Sequence, residues 1–209
     1  MNRPVFRRQG ILFVISAPSG TGKTTLCENL RTTPDFIYSV SCTTRQPRAG
    51  EVDGTDYHFL TKENFLTRAN NGEMLEYALV HGNYYGTLKS TVKEALVAGT
   101  DVLLDIDVQG AMSIRKTDDP MIRDSLVDVF IMPPTLEELE KRLRKRGTET
   151  EDQVLQRLAT GREEMKIWPL YKYTILSGSM EEDLIKFRAI MRAERYLSRR
   201  LELNESKAS

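Results

Sequence analysis

Little in this chain could carry metal-cage, redox or histidine chemistry. Its 209 residues include two cysteines, Cys27 and Cys42, and two histidines, His58 and His81. The cysteines form no metal-spaced pair and offer no disulfide framework, which suits a reducing, cytoplasmic compartment. Both read as small core or site-wall residues. Neither histidine stands in a nucleophile–base arrangement. Net charge is missing too: 30 basic residues balance 30 acidic ones, which argues against a broad electrostatic grip on nucleic acid. No apolar run approaches the roughly 18 residues that span a bilayer, so no membrane partner is expected. Arg3, Arg7 and Arg8 precede an apolar stretch in the manner of a signal peptide. That stretch, however, offers no small-x-small cleavage site before it runs into a glycine-rich loop. Internal repeats and low-complexity tracts are also absent. What remains is an ordinary globular composition, 40% apolar, long enough for one domain with small insertions.

The glycine-rich loop is the most informative feature present. Ile11 to Ser16 is a run of buried-strand type, followed directly by Ala17-Pro18-Ser19-Gly20-Thr21-Gly22-Lys23-Thr24. Gly20 and Gly22 let the backbone curl its N–H groups around a polyphosphate. Lys23 can reach the β- and γ-phosphates, and the Thr24 hydroxyl is placed to hold a magnesium ion. A helix starting near Gly22 aims its positive end at the same anion, and Leu26 and Leu30 give it an apolar stripe facing a sheet. Strand, loop and helix together meet the context that this motif requires, so a nucleotide triphosphate is expected here.

Further apolar runs at Phe36–Ser41, Asp101–Ile106, Leu126–Met132 and, more weakly, Tyr173–Leu176 alternate with helical patterns and predict a mostly parallel α/β core. Two stretches break the alternation. Between Ser41 and Lys89 the chain turns polar and aromatic, with short strands expected at Asp56–Leu60, Met74–Val80 and Asn83–Leu88. The last two form a hairpin through His81-Gly82, and a helix capped by Thr61 ends at Asn71-Gly72. From Thr135 onward, Thr135 with Glu138 makes a capping box, Leu136, Leu139 and Leu143 follow at helical spacing, and Gly147 ends the helix. Thr150 with Gln153 makes a second box. Arg142, Lys145, Arg146, Arg157 and Arg162 crowd this helical hairpin, which reads as a mobile lid. The plainer alternative is a solvated hairpin whose arginines pair with nearby glutamates. The tail from Asn204 to Ser209 is polar and reads as frayed.

Within the polar stretch, Arg45 and Arg48 flank Pro47 and can present two guanidinium forks to one phosphate. Tyr57 and the run Gly82-Asn83-Tyr84-Tyr85-Gly86-Thr87 add hydroxyls and room for close backbone approach; for Tyr84 cross-strand packing is preferred. Strand alternation alone would make Glu76 solvent-facing. In a base pocket, however, its carboxylate would accept both donors of guanine's pairing edge and reject adenine. Asp105 and Asp107 follow the strand Val102-Leu103-Leu104, where phosphate-loop enzymes hold magnesium; one serves the metal and the other the acceptor.

On these residues the chain resembles guanylate kinases, the nucleoside-monophosphate kinases that phosphorylate GMP. The matching stretches are Ala17 to Thr24, Ser41 to Tyr57, Glu76, Gly82 to Thr87, Leu104 to Asp107 and Arg142 to Glu149, spanning about residue 11 to residue 160. Thr43-Thr44-Arg45-x-Pro47-Arg48-x-Gly50-Glu51 is the most specific of them. The resemblance implies an α/β fold of the P-loop kinase type: three α/β/α layers on a mostly parallel sheet, a small mixed insert that binds the nucleoside monophosphate, and a helical lid. As one domain over residues 10–209, the core would take 10–40, 89–134 and 162–203, the insert 41–88 and the lid 135–161. The implied activity moves the γ-phosphate of ATP to GMP, with dGMP a further acceptor, in purine nucleotide metabolism. Residues Ala17 to Thr24 would hold ATP. Ser41, Glu76, Thr87 and Asp107 would line the guanine pocket. Arg45, Arg48, Tyr57 and Tyr85 would bind the GMP phosphate beside Glu51. Lys23, Arg45, Arg142, Arg146 and Arg157 would act in transfer, with Mg2+ on Thr24 and Asp105. ATP and GMP are the expected partners; the oligomeric state is left open, a homodimer included.

The chain departs from the family pattern at Ala17, in place of a glycine, and at Cys42 and Thr87, where serine is common. Ile175-Leu176-Ser177-Gly178 replaces a segment that often carries Asn-Asp near the adenine. Another monophosphate acceptor is opposed by Glu76 and the Arg45–Arg48 loop. A peptide-binding scaffold domain is opposed by the intact loop lysine and the lid arginines.

Overall fold

The computed structural model describes residues 6–18, 20–32, 35–80, 82–145 and 150–203. Ser19, His81, Arg146, Gly147 and the tail Asn204 to Ser209 lie outside them, and so do the expectations placed on those residues.

In chain order the elements are β1 (Phe6–Arg8), β2 (Leu12–Ser16), α1 (Lys23–Arg31), β3 (Ile37–Tyr38), β4 (Cys42–Thr43), β5 (His58–Phe59), α2 (Lys62–Asn70), β6 (Met74–Val80), β7 (Asn83–Leu88), α3 (Lys89–Val97), β8 (Val102–Asp105), α4 (Val108–Arg115), α5 (Pro120–Ser125), β9 (Leu126–Met132), α6 (Leu136–Lys145), α7 (Glu151–Met165), β10 (Tyr173–Leu176), α8 (Met180–Arg195) and β11 (Leu201–Leu203). Strands β10-β9-β2-β8-β3 form one five-stranded sheet, with every pairing parallel.

All five residues of β2 are buried because helices cover both of its faces. Phe13 and Ile15 pack with Leu26 and Leu30 of α1 and with Phe187 and Met191 of α8. The alternate residues Leu12 and Val14 pack with Val92 and Leu96 of α3 and Ala111 and Ile114 of α4. Side chains alternate across a strand, so one apolar run serves two layers. At the N-terminal ends of β2 and β8 the buried Asp101 carboxylate accepts from the Ile11 N–H and from Arg8 and Arg195. This ties the start of β8 to both ends of the chain.

The polar stretch carries its own sheet, ordered β5-β4-β7-β6, over a small cluster of Cys42, Phe65 and Met74. Thr61 caps α2 as expected, accepting from the Asn64 N–H. Helices α6 and α7 close on Leu139, Leu143 and Val154.

Several sequence expectations need correction. The strand expected over Phe36–Ser41 is only Ile37–Tyr38. It is an edge strand paired to β8 alone, and beyond Ser39 the backbone turns away so that Ser41 accepts from the His58 N–H in the second sheet. Asp56–Leu60 shrinks to His58–Phe59, because its partner β4 is just two residues long. Asp101–Ile106 loses a residue at each end. Strand β4 and the antiparallel β1–β11 ribbon were not anticipated. At Thr135 the hydroxyl does accept from the Glu138 N–H, but Glu138 turns its carboxylate to Arg142 instead of closing the box. The Thr150–Gln153 box is complete.

Candidate active site

The loop after β2 is shaped by two left-handed glycines, Gly20 at φ 91° and Gly22 at φ 99°. Gly22 caps α1 without any side-chain bond, so the first N–H groups of the helix remain directed at the loop. Thr21 folds its hydroxyl onto the Pro18 carbonyl at 2.7 Å. Ala17, where the pattern has glycine, is buried at the strand end. A recess of about 230 Å³ opens over the loop from Ala17 to Thr24, with Asp107 and Glu164 on its other wall. Lys23 is ion-paired with Asp105 and donates to the Ile106 carbonyl at 2.8 Å. The end of β8 therefore holds the loop lysine directly.

Helix α6 lies on this loop. A side chain at Gly20 would meet Leu143 Cδ2 at 2.8 Å, so only glycine admits so close an approach. Arg142 donates to the Thr21 carbonyl at 2.8 Å and to Ser177 Oγ at 3.1 Å. It therefore bridges the loop and the segment after β10. Arg157 is half-buried on α7. Arg144, by contrast, pairs with Glu140 at 2.8 Å and with Glu151 at 2.5 Å. Arg142 also pairs with a nearby glutamate, Glu138, at 2.9 Å, as the plainer alternative expects, but it differs from Arg144 in reaching the loop as well.

In the second sheet Arg45 is the hub. Its guanidinium makes two bonds to Glu51, at 3.0 and 2.8 Å, and lies 5.4 Å from the Tyr57 ring centroid. The Glu51 carboxylate, which also accepts from the Arg48 N–H at 2.7 Å, raises the Arg45 pKa. The Tyr85 hydroxyl adds to that rise. Arg45 in turn holds the Glu51 carboxyl below the ordinary range. Tyr57 and Tyr85 meet edge to face at 6.0 Å. Arg45, Arg48, Glu51, Tyr57 and Tyr85 thus form one group, with the Arg48 side chain exposed. Tyr84 stacks on Phe65 at 5.4 Å, the packing role preferred for it. Beside this group a cleft of about 270 Å³ is walled by Ser41, Tyr57 and Asp56 on one side and by Asp105 and Ile106 on the other. Because Lys23 binds that same strand end, the two halves of the site meet at Asp105 to Asp107.

Glu76 is 7% exposed, against what strand alternation alone dictates. A register shift between Met74 and Glu76 turns it inward, opposite Thr87, as bulges re-aim side chains. Thr87 Oγ1 donates to Glu76 Oε1 at 2.7 Å. Burial pushes the Glu76 pKa up to about 7, the Thr87 hydrogen bond opposes that rise, and Asp107 adds to it. Asp107 caps α4, accepting from the Gly110 N–H at 2.7 Å.

Among the described residues no three acidic, histidine or cysteine side chains cluster into a metal cage. Thr24 and Asp105 offer hard oxygen donors at the loop and the adjacent strand end. That set fits magnesium, which keeps most of its shell as water and phosphate oxygen. Sequence reasoning missed Glu164 in the recess wall, the Arg142–Ser177 bond, and Arg31, which stacks on Tyr38 at 3.7 Å beside the cleft. Only the run of arginines gave any prior signal of these contacts.

The family model for guanylate kinase matches residues 9–194. A guanylate kinase of Clostridium perfringens (strain SM101 / Type A) is 44% identical over 98% of this chain and 93% of its own length. One of Maricaulis maris (strain MCS10) is 45% identical over 92% of this chain and 88% of its own. The crystal structure of guanylate kinase from Anaplasma phagocytophilum superposes with a TM-score of 0.71. It is 34% identical and covers 95% of this chain and 93% of that one.

Proposed function

Because this chain belongs to the guanylate kinase family, we propose that it transfers the γ-phosphate of ATP to GMP, giving ADP and GDP. The observation that carries the choice of acceptor is the buried Glu76 carboxylate between Thr87 and Asp107. Ionised, it accepts both donors on the pairing edge of guanine. Adenine has an acceptor at the ring nitrogen and would leave the buried charge unpaired.

Transfer needs no general base, since a phosphate monoester is largely dianionic at neutral pH. The work is positioning and charge neutralisation. Arg45, oriented by Glu51, holds the acceptor phosphate together with Arg48, Tyr57 and Tyr85. On the donor side the N–H groups of the loop cradle the polyphosphate, and Lys23 moves from Asp105 to the transferring phosphoryl group. Arg142, already on the Thr21 carbonyl, and Arg157 neutralise the same charge and close the recess against water. Thr24 and Asp105 would hold magnesium, which would supply further charge neutralisation when bound with ATP.

Among the described residues no helix is long and apolar enough to cross a membrane. With both thiols free and buried, a cytoplasmic enzyme is the reading that fits. The test offers Mg-ATP with GMP, dGMP, AMP, UMP and CMP in turn and follows ADP release. Turnover confined to guanine nucleotides is expected; equal turnover with AMP would overturn the assignment.

A further inference from the structure

We propose that Gly110 is the positioning residue of the base pocket. Its N–H fixes one carboxylate, and its missing side chain admits the other. Gly110 is buried in the first turn of α4. Its N–H donates to Asp107 Oδ1 at 2.7 Å. A Cβ built on it would lie 3.0 Å from Glu76 Oε2 and 3.3 Å from Asp107 Oδ1. Both acidic groups of the pocket therefore converge on the space that glycine leaves open.

Conformation does not explain this glycine. Gly110 is not among the residues with positive φ, and alanine is the better helix former at a helical position. Space is the remaining reason. Thr87 already engages Glu76 Oε1, so Oε2 is the oxygen that faces α4. A methyl at 110 would push that carboxylate by a few tenths of an ångström and cover the flank of the oxygen that the base must reach, with Ile106 Cδ1 closing the far side at 3.4 Å. The inference rests on reading this pocket as the guanine site, and it assigns the geometry of that pocket to a residue with no functional side chain.

The test is Gly110→Ala, with GMP binding measured by calorimetry without ATP and steady-state kinetics alongside. GMP affinity is expected to fall about tenfold, as misplacement of a recognition group by a fraction of an ångström implies. KM for ATP stays within about twofold, and the thermal midpoint is unchanged or higher. Glu76→Asp, one methylene shorter, draws the carboxylate back from position 110. In that background the added alanine is expected to cost less than about twofold, the coupling of a contacting pair. Unchanged GMP affinity in Gly110→Ala would overturn the proposal. So would an equal loss in both backgrounds, or a joint loss of GMP and ATP binding with a lowered midpoint. A wild-type protein that fails to bind GMP would instead overturn the functional reading on which the proposal rests.

Discussion

At the donor loop, Lys23 is held by one carboxylate and one carbonyl at the end of a buried parallel strand. In the acceptor half, Arg45 is held by a bidentate glutamate on a loop that leaves a two-residue strand. The donor machinery is mostly backbone, two left-handed glycines and a helix start, fixed to a core with helices on both faces. The proposed acceptor machinery is mostly side chains, supported by a small cluster around Cys42, Phe65 and Met74. A backbone cradle grips any polyphosphate, whereas a side-chain network can discriminate between bases. Losses on the donor side should therefore stop the chemistry, and losses on the acceptor side should change which substrate is used and how tightly.

The largest effect is expected at Lys23. Lys23→Ala should lower kcat by about a thousandfold, the scale for removing a charge that acts on the transferring group, with the fold retained. Near-normal turnover would erase the donor half of the comparison. Arg45→Ala should lower kcat/KM for GMP by about a hundredfold, since it removes a charge-assisted fork and leaves Glu51 only the Arg48 N–H as partner. Its KM for ATP, read in the same assay, should hardly move.

The pH dependence sharpens the contrast. The buried Glu76 has its pKa raised to about 7, while the unfolded chain titrates it in the ordinary carboxylate range. Between those values the folded protein holds a proton that the unfolded chain has released. This contribution to stability is therefore present at low pH and declines as pH rises toward 7. If Glu76 serves the proposed guanine pocket, binding needs its ionised form, and GMP affinity should fall about tenfold per pH unit below 7. ATP affinity should not follow, and calorimetry in buffers of different ionisation enthalpy should register proton release on GMP binding. The smallest effect belongs to Arg144, whose partners are Glu140 and Glu151. Arg144→Ala should leave kcat within about twofold, as exposed ion pairs contribute little, whereas Arg142→Ala should not.

Much of the fold was legible. Met74–Val80, Asn83–Leu88, Leu126–Met132 and Tyr173–Leu176 are strands over the residues that periodicity indicated. Short strands were less legible: β3 and β5 lie inside longer expected runs, and β4, with two residues, has no counterpart among them, because what defines these strands is a neighbour distant in sequence. The three-residue β1 and β11 are visible only through their pairing with each other. At the candidate site, motif chemistry singles out Lys23, Arg45 and Glu76 as candidates. Their geometry could not be read that way, because a register shift beside Glu76 and a tertiary bond from Arg142 to Thr21 leave no local pattern. Gly110 is the extreme case, since its proposed contribution is an absent side chain.

The division of labour is tested most directly by Glu76→Gln, with KM for ATP and kcat/KM for GMP measured on the same preparation. The replacement keeps the shape of the side chain and removes one of its acceptors. The account predicts that kcat/KM for GMP falls about a hundredfold, the scale for a mismatched buried hydrogen bond to substrate, while KM for ATP stays within about twofold. Equal losses for both nucleotides would contradict it.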